Sequence, residues 1–291
     1  MSVDRGVVGR RHEGRRALVT GAGSGIGRAC AESLGAEGSL VSVADVNADA
    51  AALVAERIKR AGGSAVAVGV DVSQADSVFR GVESAVGHFG GLDYLVTCAG
   101  IQRYGDAVAT TEELWDEVFA VNVKGAFLSV KAALPHLRQS EHASIVMVSS
   151  VQAYVAQTGA EAYVASKGAV NALMRAIAVD EAPRGVRVNA ICPGSIDTPM
   201  LRWSAELFAG GSEQAIEATL QRWGRSHPLG RVGAPDEVAR VISFLLSDEA
   251  SFVTGEDVRV DGGLLASVAV ELPASPMPGR VGSQNAGGQR P

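Results

Sequence analysis

Tyr163 and Lys167 stand four residues apart in a stretch whose apolar spacing predicts a helix over about 160–182, so both side chains leave one face. Of the four tyrosines, at 94, 104, 154 and 163, Tyr163 alone is followed by a lysine at that spacing. A phenol is a poor base at neutral pH because its reference pKa is about 10. A neighbouring ammonium stabilises phenolate and lowers that value. Tyr163 could then take a proton from an alcohol or give one to a carbonyl. Ser149-Ser150 closes a predicted strand, and Ser150 lies thirteen residues before Tyr163. Its hydroxyl can donate to a substrate oxygen and polarise a carbonyl. Asn122 falls inside another helical run, where its side chain can disturb backbone bonding and hold a water.

The strongest local motif lies elsewhere, in Thr20-Gly-Ala-Gly-Ser-Gly-Ile-Gly27, after an apolar strand and at the opening of a helix. Glycines let the chain turn sharply and bring its backbone close to a pyrophosphate. The helix N-terminus then offers free N–H groups and partial positive charge. Gly21, Ser24, Gly25, Ile26 and Gly27 are the candidate phosphate contacts. Asp45 ends the second strand, eighteen residues after Gly27. Its carboxylate can accept from the adenosine ribose hydroxyls or cap the next helix. It would repel a 2′-phosphate, and no Arg or Lys lies within 20–27 or directly after Asp45, which favours NAD over NADP. Asp71 and Val72 follow the third strand, where the carboxylate can meet the adenine amino group or serve as a helix N-cap. Cys98-Ala99-Gly100 follows the fourth strand, where small residues let a cofactor lie against the backbone. Pro193-Gly194-Ser-Ile196-Asp-Thr198 ends the sixth and is suited to the nicotinamide face. Oxidised nicotinamide would add a second positive charge beside Tyr163.

These residues must be placed by a repeating strand–helix pattern. Apolar runs at 17–20, 40–44, 65–70, 92–96, 144–148, 186–191 and 257–260 predict seven strands. Helical spacing covers about 25–37, 48–61, 74–88, 111–138, 160–182 and 236–247, while 199–225 is less regular. Strands that are apolar throughout, separated by helices, predict an α/β fold: a Rossmann-like, doubly wound parallel sheet of seven strands with helices on both faces. No Pro-, Gly- or Ser-rich linker divides it, so residues 14–266 are expected to form one domain. Residues 1–13 read as a flexible basic arm, and 267–291 as a Pro/Gly-rich disordered tail: 273–291 carries four prolines and four glycines.

The bulk numbers agree. The 291 residues are 47% hydrophobic and 20% charged, with a formal net charge of −6. That charge disfavours nucleic acid and anionic lipid as partners. Cys30, Cys98 and Cys192 are far apart and odd in number, as expected of reduced thiols in the cytoplasm. The five histidines show no metal-ligand spacing. No run reaches the roughly 18 apolar residues a membrane helix needs, and no apolar segment follows the N-terminal arginines as in a secretory signal.

Taken together, Thr20–Gly27, Asp71, Cys98-Ala99-Gly100, Asn122, Ser150, Tyr163-x-x-x-Lys167, Pro193-Gly194 and Val260-Asp-Gly-Gly263 resemble the short-chain dehydrogenase/reductase family, in order and at its spacing, over about 14–266. The resemblance implies Tyr163 as general acid/base and Ser150 as the group orienting the substrate oxygen. It implies that Lys167 binds the nicotinamide ribose and lowers the tyrosine pKa, and that Asn122 holds a water in the proton path. The Ile196 backbone and Thr198 would contact the carboxamide. It also implies a homotetramer or dimer, paired through long helices near 111–138 and 160–182. The family often carries two asparagines where this chain has Thr97 and Cys98, which puts one loop-fixing hydrogen bond in doubt.

Specificity is expected from loops at the carboxyl ends of the strands. Gln102, Arg103, Tyr104, Gln152, Tyr154 and Glu161 fall there, with 200–226 as a lid carrying Trp203, Phe208 and Trp223, and with His227 beside it. These polar groups suit a hydroxylated secondary alcohol or its carbonyl, such as a sugar, polyol or sugar acid; they could equally be solvent-facing. Arg103 could instead pair with a carboxylate or acyl-carrier phosphate, which would suit a 3-oxoacyl-thioester reductase. A non-catalytic NAD-binding regulator is the alternative of a different class, and such proteins usually lack part of the Ser–Tyr–Lys set.

Overall fold

The computed structural model describes residues 11–268. Seven parallel strands pair in the order β3-β2-β1-β4-β5-β6-β7. They are β1 (Arg16–Thr20), β2 (Leu40–Asp45), β3 (Ser64–Gly69), β4 (Tyr94–Thr97), β5 (Ser144–Val148), β6 (Arg187–Pro193) and β7 (Asp257–Val260). Strand order runs outward from β1 to β3 and reverses between β1 and β4. That reversal opens a crevice at the carboxyl ends, where ligands bind in sheets of this kind.

Successive residues of each strand feed opposite faces, as the pleat requires. Leu18, Ile145 and Met147 pack under α3 (Ala75–Phe89), α5 (Gly125–Leu137) and α6 (Glu161–Glu181). Val19 and Val146 pack under α1 (Gly25–Ala36), α2 (Ala48–Arg60) and α9 (Pro235–Leu246). Each fully buried Leu, Ile or Val contributes roughly 1.5–3 kcal/mol over exposure, and burial on both faces explains why these strands read as unbroken apolar runs.

Three expectations are corrected. The run over 111–138 is not one regular helix. It is α4 (Glu112–Phe119), a π-helical turn over Ala120–Lys124, and α5. The 112–137 stretch is long and apolar enough to cross a membrane by length and composition, but half of its most apolar window is buried inside the domain. Secondly, the irregular 199–225 stretch forms two helices, α7 (Pro199–Ala209) and α8 (Glu213–Gly224). Thr198 and Ser212 cap them by accepting from the N–H groups of Leu201 and Ala215, and Gly210 ends α7 at φ 83°. Those signals were present in the sequence; the short apolar periods were too weak to reveal the helices.

Thirdly, the fold begins before residue 14. Arg11 binds Glu249 at 3.0 and 3.2 Å. His12 is fully buried, with Nε2 at 3.0 Å from Ser243 Oγ and Nδ1 at 3.4 Å from the Tyr94 hydroxyl. Burial holds the His12 pKa below its ordinary value. Residues 1–10 of the expected arm and 269–291 of the expected tail lie outside the described residues.

Candidate active site

The crevice between β1 and β4 is one wall of a cavity of about 970 Å³ along the carboxyl ends of the strands. Every residue assigned above to the dinucleotide, from Gly21 to Thr198, lines it. The glycine turn is shaped by close approach. A Cβ on Gly21 would stand 2.6 Å from the Ala99 Cα, and Gly21 has φ +65°; a Cβ on Gly27 would collide with the Gly21 carbonyl oxygen. Both clashes are with backbone, so a side chain at either position would force β1, α1 and the β4 loop apart. Ser24 precedes α1 without a side-chain cap, and α1 has no acidic residue in its first turn. The cradle therefore fits a dinucleotide pyrophosphate: backbone can approach it, and the helix dipole is not already countered by a carboxylate.

Asp45 divides its carboxylate between two backbone groups. Oδ2 accepts from Gly23 N at 2.8 Å and Oδ1 from Asn47 N at 2.9 Å. The cap of α2 is Asn47, not Asp45. Asp71 likewise does not cap α3; that position is Gln74. Instead Asp71 Oδ1 accepts from the backbone and hydroxyl of Ser73, at 2.9 and 2.7 Å. Both carboxylates are thus fixed in place at the cavity wall.

The loop after β4 lacks the family's asparagines, and Thr20 holds it instead. The Thr20 hydroxyl oxygen accepts from Cys98 N at 3.2 Å and Ala99 N at 3.4 Å. Thr20 was legible as part of the glycine motif but not in this role. Burial pushes the Cys98 thiol up to about 12, so it meets the cavity as a neutral group. Asn122 sits in the π-helical turn, 3% exposed, outside the cavity lining. Its amide accepts from Ile101 N at 2.8 Å and donates to Ile101 O at 2.9 Å and Ser166 Oγ at 3.0 Å. The side chain is spent on joining the β4 loop to α6.

α6 and the end of β5 bring Ser150, Tyr163 and Lys167 together. All are buried, at 8, 8 and 5% exposure, and all line the cavity. Lys167 Nζ donates to Val148 O at 2.9 Å and lies 5.4 Å from the centre of the Tyr163 ring. Ser149 Oγ donates to Lys167 O at 3.1 Å, tying β5 to α6. Burial lowers the Lys167 ammonium to about 8. Burial also pushes the Tyr163 phenol up to about 12, against a hydrogen bond with Ser150 that pulls it down. The expectation that the ammonium depresses the tyrosine pKa is therefore not met by the protein groups alone, because desolvation dominates. Positive charge from a bound nicotinamide would have to supply the remainder.

On the substrate side, Gln102 and Gln152 line the cavity, as expected, whereas Glu161 and Trp203 do not. Glu161 is exposed in the first turn of α6. Trp203 packs one layer back, stacked on Tyr104 with ring centres 5.9 Å apart. Tyr104 itself lines the cavity and accepts from Gln102 Nε2 at 2.9 Å. Gln152 Nε2 donates to Gln157 Oε1 at 2.9 Å. Arg103 does not line the cavity itself; it makes a paired contact, at 3.0 and 2.6 Å, with Glu117, which does. The lid helices share a small core of Ala205, Ile216 and Leu220, with Leu201 and Trp223 against it. Arg202 binds Asp197 at 2.7 and 3.0 Å and Glu217 at 2.9 Å, pinning the lid to the end of the 193–198 strip.

With this geometry in hand, comparison with known proteins is specific. A family model described as enoyl-(acyl carrier protein) reductase matches residues 21–265. The chain is 40% identical over 248 residues to the short-chain reductase protein NovJ of Streptomyces niveus, covering 85% of this chain and 92% of that one. It is 38% identical over 255 residues to the 3-oxoacyl-[acyl-carrier-protein] reductase FabG of Thermotoga maritima, covering 88% and 99%. Among solved structures, the ligand-free aldohexose dehydrogenase of Thermoplasma acidophilum superposes with a TM-score of 0.82 at 38% identity, covering 90% of this chain and 98% of that one.

Proposed function

The chain belongs to the short-chain dehydrogenase/reductase family, and from that membership we propose that it is an NAD-dependent enzyme acting on a small secondary alcohol or its carbonyl, of the sugar, polyol or sugar-acid class. The observation that carries this reading is the convergence of Ser150, Tyr163 and Lys167 on the cavity that the glycine turn and Asp45 also line. When bound, the nicotinamide supplies the hydride acceptor or donor. Tyr163 moves the proton at its hydroxyl, Ser150 orients the substrate oxygen, and Lys167 holds a positive charge behind the phenol. The complete triad favours an enzyme over a non-catalytic binder.

The preference for NAD rests on charge. Among the described residues lining the cavity, Lys167 is the single Lys or Arg, and Asp45 stands at the adenosine end. A 2′-phosphate there would face a carboxylate with no cation at that end, among the described lining residues, to offset it. Asp45→Asn is expected to raise the ratio of kcat/KM for NADP to that for NAD by about tenfold or more. Paired steady-state assays check this, and an unchanged ratio would remove Asp45 as the selecting group.

The substrate class rests on Gln102, Tyr104 and Gln152 at the cavity wall, and the structural neighbour that acts on aldohexose supports it. The 3-oxoacyl-thioester reading draws support from the FabG relative, but Arg103, the cation that reading would use for an acyl-carrier phosphate, is paired with Glu117. The deciding experiment follows reduced nicotinamide with NAD and NADP over sugars, polyols, secondary alcohols and 3-hydroxyacyl thioesters. Turnover confined to the thioesters would overturn the sugar reading.

A homotetramer or dimer is the proposed assembly, in the cytoplasm. Trp115 stacks on Phe119 with ring centres 4.6 Å apart, and Phe127 is 44% exposed, all on the α4–α5 run that the family resemblance places between subunits. Exposed aromatic clusters of this kind mark interfaces. Sedimentation is expected to show no monomer at micromolar concentration, and Phe127→Glu to shift the equilibrium toward monomer.

A further inference from the structure

We infer that His227, at the end of the lid, is a positioning residue that locks the 193–198 strip against the nicotinamide half of the cavity. This rests on the dinucleotide reading above. The imidazole is 3% exposed and lines the cavity. Its Nε2 stands 3.1 Å from Ser195 N and its Nδ1 3.1 Å from Trp223 O. A backbone N–H can only donate and a carbonyl can only accept, so the ring is the neutral tautomer with its proton on Nδ1. Both nitrogens are thereby committed to the backbone.

The remaining contacts of the strip show why this bond matters. Gly194 N donates to Val260 O at 3.0 Å, Gly233 N to Ser195 O at 2.9 Å and Asp197 N to Gly233 O at 2.9 Å. Those are backbone-to-backbone bonds that truncating a side chain leaves in place. Of the N–H groups at 194, 195 and 197, that of Ser195 is held by a side chain. The sequence around it is fitted to that contact. A Cβ on Gly194 would lie 2.8 Å from His227 Nε2, so glycine is what lets the ring reach Ser195. The ring also belongs to the turn that ends α8, where His227 N donates to Gly224 O at 3.0 Å. It therefore joins the lid to the strip whose far end, Thr198, caps α7 and lines the same cavity.

Loss of this bond should loosen the nicotinamide end of the site and leave the adenosine end, built from Asp45 and the glycine turn, untouched. The test compares NADH with ADP-ribose, which lacks nicotinamide, by calorimetry on the full chain. His227→Phe keeps an aromatic ring and removes both bonds. It is expected to weaken NADH about tenfold and ADP-ribose less than twofold. His227→Gln can present an acceptor to Ser195 and is expected to restore NADH affinity to within about threefold of the parent. His227→Asn can keep the bond to Trp223 O but falls short of Ser195, so it should behave as His227→Phe toward NADH and melt close to the parent. Equal weakening of NADH and ADP-ribose would mark a merely structural role and overturn the inference. NADH affinity within twofold of the parent in His227→Asn would also overturn it, whether or not His227→Phe folds. A parent chain that binds neither NADH nor ADP-ribose would overturn the dinucleotide reading, and the inference with it.

Discussion

Replacing Tyr163 with Phe is expected to lower kcat by about 10³-fold while leaving NADH binding within about threefold of the parent. The substitution removes one oxygen and keeps the ring that Lys167 Nζ faces at 5.4 Å. The other phenol lining the cavity among the described residues is Tyr104, and it is already engaged. Tyr104 is bound by Gln102 at 2.9 Å and packed by Trp203 and Phe208. The pH profile carries the same information. Burial raises the Tyr163 phenol to about 12, so it is protonated across the neutral range. Carbonyl reduction then starts from the competent acid and should change little with pH. Alcohol oxidation needs the phenolate, so its rate should climb as pH rises toward the value set in the complex. Stopped-flow measurement in both directions checks this. A variant that keeps a tenth of parental turnover, or an oxidation rate flat from pH 6 to 9, would take Tyr163 out of the proton path.

Lys167→Met should separate activity from stability. Activity is expected to fall by about 10²-fold or more, because the charge behind the phenol is gone. Stability should move the other way. Burial lowers the Lys167 pKa from 10.5 to about 8. Below about pH 8 both folded and unfolded chains carry the ammonium, and the folded one bears a desolvation cost of roughly 3 kcal/mol. Between about 8 and 10.5 the unfolded chain binds more protons than the folded one, so that cost is relieved as pH rises. Met also leaves the Val148 carbonyl without its donor, an opposing loss of about 1–2 kcal/mol. The variant should therefore gain about 1–2 kcal/mol at pH 7, lose that gain between about pH 9 and 10, and be the less stable chain by about 1 kcal/mol above that. Urea unfolding at both pH values measures the difference. A variant less stable than the parent at pH 7 would show that the buried ammonium is held more favourably than its depressed pKa implies.

A buried, poorly solvated lysine beside a buried tyrosine is costly to fold. It makes sense as a site that tolerates instability to gain chemistry.

The sequence by itself determined the layered fold and most of the candidate site. Apolar runs such as Ala17–Thr20 and Ser144–Val148 could belong only to strands covered on both faces, and the structure pairs them in one parallel sheet. Glycine spacing, Asp45, Ser150 and the Tyr163–Lys167 interval were legible because each depends on local geometry: a turn, a strand end, one face of a helix. What only the tertiary structure decided are relations between segments distant in sequence. Thr20 holds the β4 loop, Asn122 joins that loop to α6, Arg103 is spent on Glu117, and Trp203 lies behind Tyr104 rather than in the cavity. His227 reaches back thirty-two residues to Ser195. His12 joins the domain because Tyr94 and Ser243 leave a buried polar space for it at the base of the sheet. The physical reason is common to all of them. Backbone periodicity and turn chemistry are written in neighbouring residues, whereas a side chain's partner, its burial and hence its pKa are set by whichever segments the packed sheet brings alongside it.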